Sequence, residues 1–577
     1  MKIGHLTSCC ALLFSTVLHA QTDQTLEWAS YFGGNSSSGG VFVTWPNQFL
    51  ATPNGSMLAC GWTDTPENLV VLPAHQISMQ GESSGFIARI DENRDLEFAT
   101  YFGGEDFDFI SDVAVFSNSG FVIVGLTGSN SGISTPGAFM PVKPGGYNGF
   151  IARFSPGGLL LWSTYLGGEA GAMEPGTIVA SVVVDDEDNV YCVGTTSSAF
   201  LPTSANAHQS DLQGGRDGFV ARFNPDGQPV FITYFGGSED DRLTSIAFAE
   251  NGDLLLTGTT WSSSGISTSG SYQEEIAGGA DIFITRMTTE GEVVWSTYFG
   301  GNQDDFLGEA SSSHHGMDVD EEGNIYVSLR TESEGLQTTG ITFFEIDHYQ
   351  LILLAKFNPQ GTLEWSRYMP YRPVESYSGL RYCGETLVYY GAAYTGADDL
   401  SIGTPFQSEV VSLTETDIVL VGLDVSGELQ WGTFYGGEGR DLPSSVDCLG
   451  ESQLLLSGTT RSNNIEITPD AFQPERSSYT NAIFAIFEID GLTSVEHNEE
   501  LELKAYPNPT TQHLWLDLPS SFAFHAEVGV YNSVGQLVQR HTQFSSHEPL
   551  SLQHPPGLYI VEARKGDNAL RAKVVVR

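Results

Sequence analysis

Trp28-Ala29-Ser30-Tyr31-Phe32-Gly33-Gly34 decides the fold of this 577-residue chain, because the chain keeps returning to it. Tyr101-Phe102-Gly103-Gly104, Tyr165-Leu166-Gly167-Gly168, Tyr234-Phe235-Gly236-Gly237, Tyr298-Phe299-Gly300-Gly301 and Trp431-Gly432-Thr433-Phe434-Tyr435-Gly436-Gly437 repeat it. Trp365-Ser366-Arg367-Tyr368-Met369-Pro370 is a worn copy that has lost its glycines. From Gly33 to Gly300 the first glycines stand 70, 64, 69 and 64 residues apart, a spacing that means one supersecondary unit per period.

Within a period the residues spell four strands. In the third unit these are Ser181-Val182-Val183-Val184-Asp185, Val190-Tyr191-Cys192-Val193-Gly194, Gly218-Phe219-Val220-Ala221-Arg222-Phe223 and Pro229-Val230-Phe231-Ile232-Thr233-Tyr234, with a turn at Asn224-Pro225-Asp226-Gly227. Short β-branched and aromatic runs cut by Asn-Pro, Asp-Gly and Gly-Gly are strand and turn signals. In the first unit Phe86, Ala88 and Ile90 face one way while Ile87 and Arg89 face the other. Apolar residues on both faces call for a sheet covered on both sides, a demand that radially stacked propeller blades meet. Six complete units run from about Asn35 to Phe434, and a seventh lacks its fourth strand. Leu26 to Phe32 is a fourth strand with no unit before it, and pairing it onto the last unit removes two exposed edges together. The expected fold is all-β: a seven-bladed β-propeller of four-stranded blades closed by the N-terminal strand, followed by a small C-terminal β-sandwich.

Ile133-Ser134-Thr135-Pro136-Gly137-Ala138-Phe139, Asn148-Gly149-Phe150-Ile151-Ala152-Arg153-Phe154 and Leu161-Trp162-Ser163-Thr164-Tyr165-Leu166-Gly167-Gly168 resemble the bacterial seven-bladed β-propeller repeat family. The similarity runs from about Leu26 to Asp490 and implies a fold, without implying a reaction or ligand. The sixth unit departs most, at Pro370-Tyr371.

The two ends direct traffic. Lys2, the apolar stretch Ala11 to Leu18 and a cut between Ala20 and Gln21 make residues 1–20 a secretory signal, too short for a membrane span. Cys9 and Cys10 precede the apolar stretch and leave with it. Beyond the propeller (21–490) and a polar linker (491–503), residues 504–577 carry Lys504-Ala505-Tyr506-Pro507-Asn508-Pro509-Thr510, a segment through Gly535, Pro556-Gly557-Leu558-Tyr559-Ile560-Val561 and the basic end with Lys573. This module resembles the type A C-terminal sorting domain of the type IX secretion system. Tyr506, Pro507, Asn508, Pro509, Gly535, Gly557, Tyr559 and Lys573 carry the motif. The resemblance implies periplasmic transit, the type IX machinery as partner, and release or attachment to surface polysaccharide.

Charge divides at the same boundary. Of the net −47, Lys2 supplies +1 and residues 501–577 a net +1, leaving −49 on residues 21–500. Such a field disfavours nucleic acid and anionic membrane, and favours solubility and cationic or basic partners. Cys60 and Cys192 read as small buried residues, whereas Cys383 and Cys448, near the ends of inner strands in adjacent blades, can form a disulfide in an oxidising compartment.

Catalytic signatures are sparse. Gly81-Glu82-Ser83-Ser84-Gly85 has the spacing of a nucleophile elbow but leads into a strand, not a helix. Asp318-Val319-Asp320-Glu321-Glu322-Gly323 opens like a calcium loop, yet Leu329 stands where the closing Glu belongs, so a strand and turn are expected. The acids after the double glycines, Asp106, Asp108, Asp240, Asp241, Asp304, Asp305 and Asp441, either cap turns or gather calcium at a channel mouth. Arg89, Arg153, Arg222, Arg286 and Lys356 recur at one third-strand position and suggest ion pairs between blades. Insertions at Asn35 to Gly40, Glu169 to Glu174 and Ser311 to His315 lengthen three crossing loops on one face, where binding is expected. The fifth-blade loop brings Asp304, Asp305, Glu309, His314, His315 and Asp318 close in sequence, a nitrogen and oxygen set suited to a divalent metal. No other cofactor is indicated. Two functions stay open: a secreted or surface-attached binding, adhesion or scaffold propeller for a glycan, protein or cation, and an extracellular polysaccharide hydrolase or lyase using channel-mouth carboxylates.

Overall fold

The computed structural model describes residues 23–35, 42–169, 176–307, 316–336, 351–370, 378–490 apart from 396, 398 and 399, and 492; in the C-terminal part it describes 504–506, 513–517, 526–532, 536–544, 550–552, 555–565 and 568–576. The signal segment lies outside these residues. Two compact units divide the chain at Ser494 and Val495, and no α-helix occurs among the described residues.

The first unit is a succession of antiparallel sheets, within which most strands are hydrogen-bonded to the next in sequence. In the first sheet the strands are Thr44–Ala51, Met57–Thr63, Ser84–Ile90 and Leu96–Phe102. The first strands of the sheets that follow are Asp108–Val115, Thr177–Val184, Asp241–Phe248, the split pair Asp305–Phe306 and Met317–Val319, Gly379–Cys383, and Asp441–Leu449. The third sheet starts at Thr177 rather than at the Ser181 expected from sequence. A bulge between Val179 and Ser181 breaks the alternation that marks a strand. Gln24–Phe32 pairs with Asn481–Ile489 from the far end of the unit, Gln24 opposite Ile489 and Phe32 opposite Ala482, and so supplies the last sheet with its outer strand.

Both faces of each sheet are dry, as the alternation required. In the first sheet Phe86, Ala88 and Ile90 enter a core shared with Phe484 and Ile486 of the last sheet, while Ile87 enters one shared with Ile110 and Phe150 of the second. The motif tyrosine adds a polar tie. Tyr101, Tyr165, Tyr234, Tyr298 and Tyr368 are buried, and each hydroxyl donates to a carbonyl just beyond the second strand of its own sheet, at 2.7–3.0 Å. Tyr31 makes the same bond to Ser462 at 2.9 Å. A buried phenol needs such a partner, which explains Tyr in place of Phe.

Cys60 and Cys192 are buried and free. Cys383 and Cys448 form a disulfide with Cα atoms 5.8 Å apart, joining the first strands of the sixth and seventh sheets.

The second unit has a sheet of Lys504–Tyr506, His513–Asp517 and Leu550–Ser551 and a sheet of Leu537–Phe544, Ala526–Asn532, Gly557–Lys565 and Asn568–Val576. Leu514 and Leu550 of one and Val528, Val530, Val561 and Val574 of the other share a core. Of the sorting motif, Tyr506, Gly557, Tyr559 and Lys573 lie on strands; Pro507, Asn508, Pro509 and Gly535 lie outside the described residues. Tyr559 is buried and its hydroxyl donates to Pro555 O at 2.8 Å.

Candidate functional site

The first strands of the sheets meet around a common space. Side chains from the first strand of every sheet line a cavity of about 370 Å³, and its polar groups are Gln48, Asp112, Ser181, Asp318, Arg381 and Asp447. Three of these are carboxylates that reach from one sheet to the backbone of the next. Asp112 Oδ2 accepts from Val182 N and Ser181 Oγ, both at 2.9 Å, and its Oδ1 from Gln48 Nε2 at 3.0 Å. Asp318 Oδ2 accepts from Tyr382 N at 2.7 Å, and Asp447 Oδ2 from Ala51 N at 2.9 Å. Arg381 lies between the last two, 3.4 Å from Asp318 and 2.8 Å from Asp447. Their charges hold its guanidinium well above the usual arginine range. The resulting row of acid, base and acid spans three consecutive sheets at the cavity wall.

Sequence reading missed Asp112, Arg381 and Asp447. The available signal was a charge interrupting an apolar first strand, as in Val446-Asp447-Cys448. Of the residues expected in one fifth-blade site, Glu309, His314 and His315 lie outside the described residues, as do the insertion Ser311 to His315 and, apart from Asn35 and Glu169, the insertions Asn35 to Gly40 and Glu169 to Glu174. The structure separates the other three. Asp305 pairs with Thr331 and Asp318 with Tyr326 on the same neighbouring strand, five residues or roughly 16 Å apart at the rise of a β-strand. Asp318 belongs to the cavity; Asp304 accepts from Ala280 N at 3.1 Å. Among the described residues no group of three or more His, Cys, Asp or Glu side chains is arranged to hold a metal ion. The calcium-like segment is a strand and turn, with Asp320 Oδ1 accepting from Glu322 N and Asn324 N.

The acids after the double glycines divide into two sets. Asp108, Asp241, Asp305 and Asp441 stand at the start of first strands, not in the crossing loops, and are fully buried. Each accepts the N–H of the second glycine: Gly104 at 2.6 Å, Gly237 at 2.6 Å, Gly301 at 2.7 Å and Gly437 at 2.8 Å. The close approach explains the glycine, since a Cβ on Gly104 would overlap the Ser131 carbonyl. These carboxylates are structural caps. Burial, reinforced by the carboxylates of Asp106, Asp217 and Asp417 respectively, outweighs the hydrogen bonds and pushes Asp108 and Asp241 up to about 6 and Asp441 to about 7. Asp281 and Asp417, buried on the facing third strands, are each pushed up to about 6 by the same cause.

A carboxyl whose folded pKa exceeds its unfolded value near 4 binds its proton more tightly when folded. The stability so contributed is complete below about pH 4 and lost as pH rises through 6 to 7. Relief of repulsion among the acids of the propeller acts in the same direction. The melting temperature measured by calorimetry is therefore expected to be higher at pH 5 than at pH 8; a flat or opposite trend would show these carboxyls ionised in the fold.

The recurrent arginines differ in what they tie: two reach the next sheet and one pairs within its own. Arg89 donates to Ser119 O at 2.7 Å, Arg153 pairs with Asp188 at 2.6 Å, and Arg286 pairs with Asp253 at 2.8 Å within its own sheet.

Residues 504–577 match the family described as secretion system C-terminal sorting domain, and residues 161–200 match the β-propeller repeat. No curated protein matches the chain. Among solved structures, an aldose sugar dehydrogenase from Streptomyces coelicolor is similar at 14% identity and a TM-score of 0.34, covering 82% of this chain and 99% of that one. A gluconolactonase from Xanthomonas campestris is similar at 12% identity and a TM-score of 0.28, covering 64% and 93%. A polysaccharide lyase acting on ulvan is similar at 10% identity and a TM-score of 0.37, covering 79% and 97%. No helix among the described residues is long and apolar enough to cross a membrane. The chain carries β-propeller repeat sequence ahead of a type IX secretion sorting domain, which implies interaction with that machinery and marks the protein for export, secreted or attached at the outer-membrane surface.

Proposed function

We propose that this protein is an exported binding, adhesion or scaffold module, built on a seven-bladed propeller (residues 21–490) that the N-terminal strand closes. In this reading residues 1–20 are a signal, 491–503 a linker and 504–577 a β-sandwich that directs type IX export. Support for the ring comes from the cavity, to which the first strand of every sheet contributes, and from the core shared by the first and last sheets.

The observation that carries the binding reading is the engagement of the cavity carboxylates. Asp112 and Asp447 commit both oxygens to neighbouring groups, and so does Asp318. A general acid or base needs a carboxyl free to meet a substrate proton, and polysaccharide cleavage by paired carboxyls needs two of them about 5–10 Å apart across the substrate. Carboxylates that clasp strands serve rigidity instead. The test incubates the exported protein with immobilised glycans and cell-surface proteins, beside an assay for polysaccharide shortening. Retention without shortening is expected. Shortening that disappears in Asp112→Asn would replace this reading with an extracellular hydrolase or lyase.

A further inference from the structure

The junction between the third and fourth sheets breaks a pattern that its predecessors keep. Arg89 reaches the second sheet through Ser119 O at 2.7 Å and Pro156 O at 2.5 Å. Arg153 reaches the third through Asp188 at 2.6 Å and Pro225 O at 3.1 Å. Ser119, Asp188 and Gly252 occupy one place in the same turn, each N–H bonded to the carbonyl three residues earlier and each with a left-handed φ, of 64°, 63° and 84°.

Gly252 brings no side chain, and nothing lies within 4 Å of where its Cβ would stand. At this junction Arg222 finds Thr289 O only at 3.5 Å and Glu290 at 4.0 Å, and rests over the Tyr191 ring at 5.2 Å. A cavity of about 630 Å³ is left, within the range of small-ligand pockets, about 300–1,000 Å³. At the next junction, where Gly323 takes the same place, the gap is about 40 Å³. There Arg286 is pinned to Asp253 at 2.8 Å, and Pro359 fills the space beside the glycine.

The lining of the large gap sets its chemistry. Val184 and Phe248 give an apolar floor, Arg222 a cationic wall, and Asp186, Glu187 and Glu290 an acidic rim. A small cation entering the gap meets the guanidinium, and an anion meets the carboxylates. A hydroxyl both donates and accepts, so one polyol satisfies rim and wall together while its C–H face lies on the floor. We infer that the gap between the third and fourth sheets is a binding pocket for a neutral saccharide unit, a step that rests on the binding reading above and assigns it a place and a ligand class.

The test is calorimetry on the exported full chain with neutral cello-, manno- and xylo-oligosaccharides, beside spermidine as the cation and oligogalacturonate as the anion. Gly252→Asp closes the pocket: the backbone already holds Asp188 at the same turn position, and the new carboxylate gives Arg222 the partner that Arg153 has. At least one neutral oligosaccharide is expected to bind, and to bind at least about tenfold more weakly to folded Gly252→Asp, whose left-handed φ costs a non-glycine residue some stability. No neutral binding, tighter binding of spermidine or oligogalacturonate, or equal affinity in the variant overturns the assignment. Equal affinity in the variant would leave the binding function standing and move the site elsewhere, whereas binding of no saccharide at all would leave that function to the retention assay. Should Gly252→Asp fail to fold, Glu187→Gln with Glu290→Gln, both on exposed side chains, reads the same site: weakened saccharide binding supports it and unchanged binding overturns it.

Discussion

Deletion of Leu26 to Phe32 is expected to abolish the cooperative melt of the propeller. The segment buries Trp28, Tyr31 and Phe32 to 2% exposure or less. Aromatic side chains bury about 150–250 Å² each, so at about 25 cal/mol per Å² the three represent on the order of 10–20 kcal/mol of gross burial. That matches or exceeds the net stability of a typical domain, about 5–15 kcal/mol. The deletion also uncovers the edge of Asn481–Ile489, where Ala482 to Ile489 pair with the deleted strand and its flank in the intact protein. Exposed apolar edges seek other chains, so the variant should scatter light on mild heating and show no sharp calorimetric transition. A deletion variant that melts like its parent would refute closure by this strand.

The second large effect is expected at the disulfide. Where the worn sixth copy lacks its double glycine, the first strand that follows is the five-residue Gly379–Cys383, and no buried carboxylate is seen capping a glycine there among the described residues. Other ties stand in: Asp318 on Tyr382 N, Arg381 between Asp318 and Asp447, and the Cys383–Cys448 bond across 65 residues of chain. Closing a loop of that length removes unfolded-state entropy worth about 4 kcal/mol. Cys383→Ser with Cys448→Ser should therefore lower the unfolding free energy by about that amount in urea titrations, with hydrogen exchange rising first in the sixth sheet. An unchanged midpoint, or exchange that rises evenly around the propeller, would show that the other ties suffice.

Much of the fold was legible because a repeat states each structural requirement several times. The motif tyrosine, the double glycine and the facing apolar residues of Phe86 to Ile90 each answer a local need, and local needs leave periodic marks. Strand starts were less legible, as at Thr177, since a bulge disturbs the period that defines a strand. The cavity was hardest to foresee. Asp112, Asp318, Arg381 and Asp447 are spread over more than half of the chain, and only the stacking of sheets brings them to one wall. Sequence proximity misled in the opposite way at Asp305 and Asp318, which the neighbouring strand holds well apart. The acids after the glycines show a third case: their position was plain, but whether they face solvent or a buried N–H depends on the crossing of the next sheet.

The pairing of Gln24 with Ile489 also fixes an order of events. A chain is made from its N-terminus, so the strand made first must wait for a partner that emerges 465 residues later. Until then Trp28 and Phe32 can pack only against residues of the first sheet such as Phe49 and Phe86, while their strand waits for its pairing edge. The sorting segment begins only 15 residues beyond that partner, at Lys504. A chain broken off before the partner strand can neither finish its fold nor present its export address, so incomplete products are excluded from the surface by the order of synthesis alone.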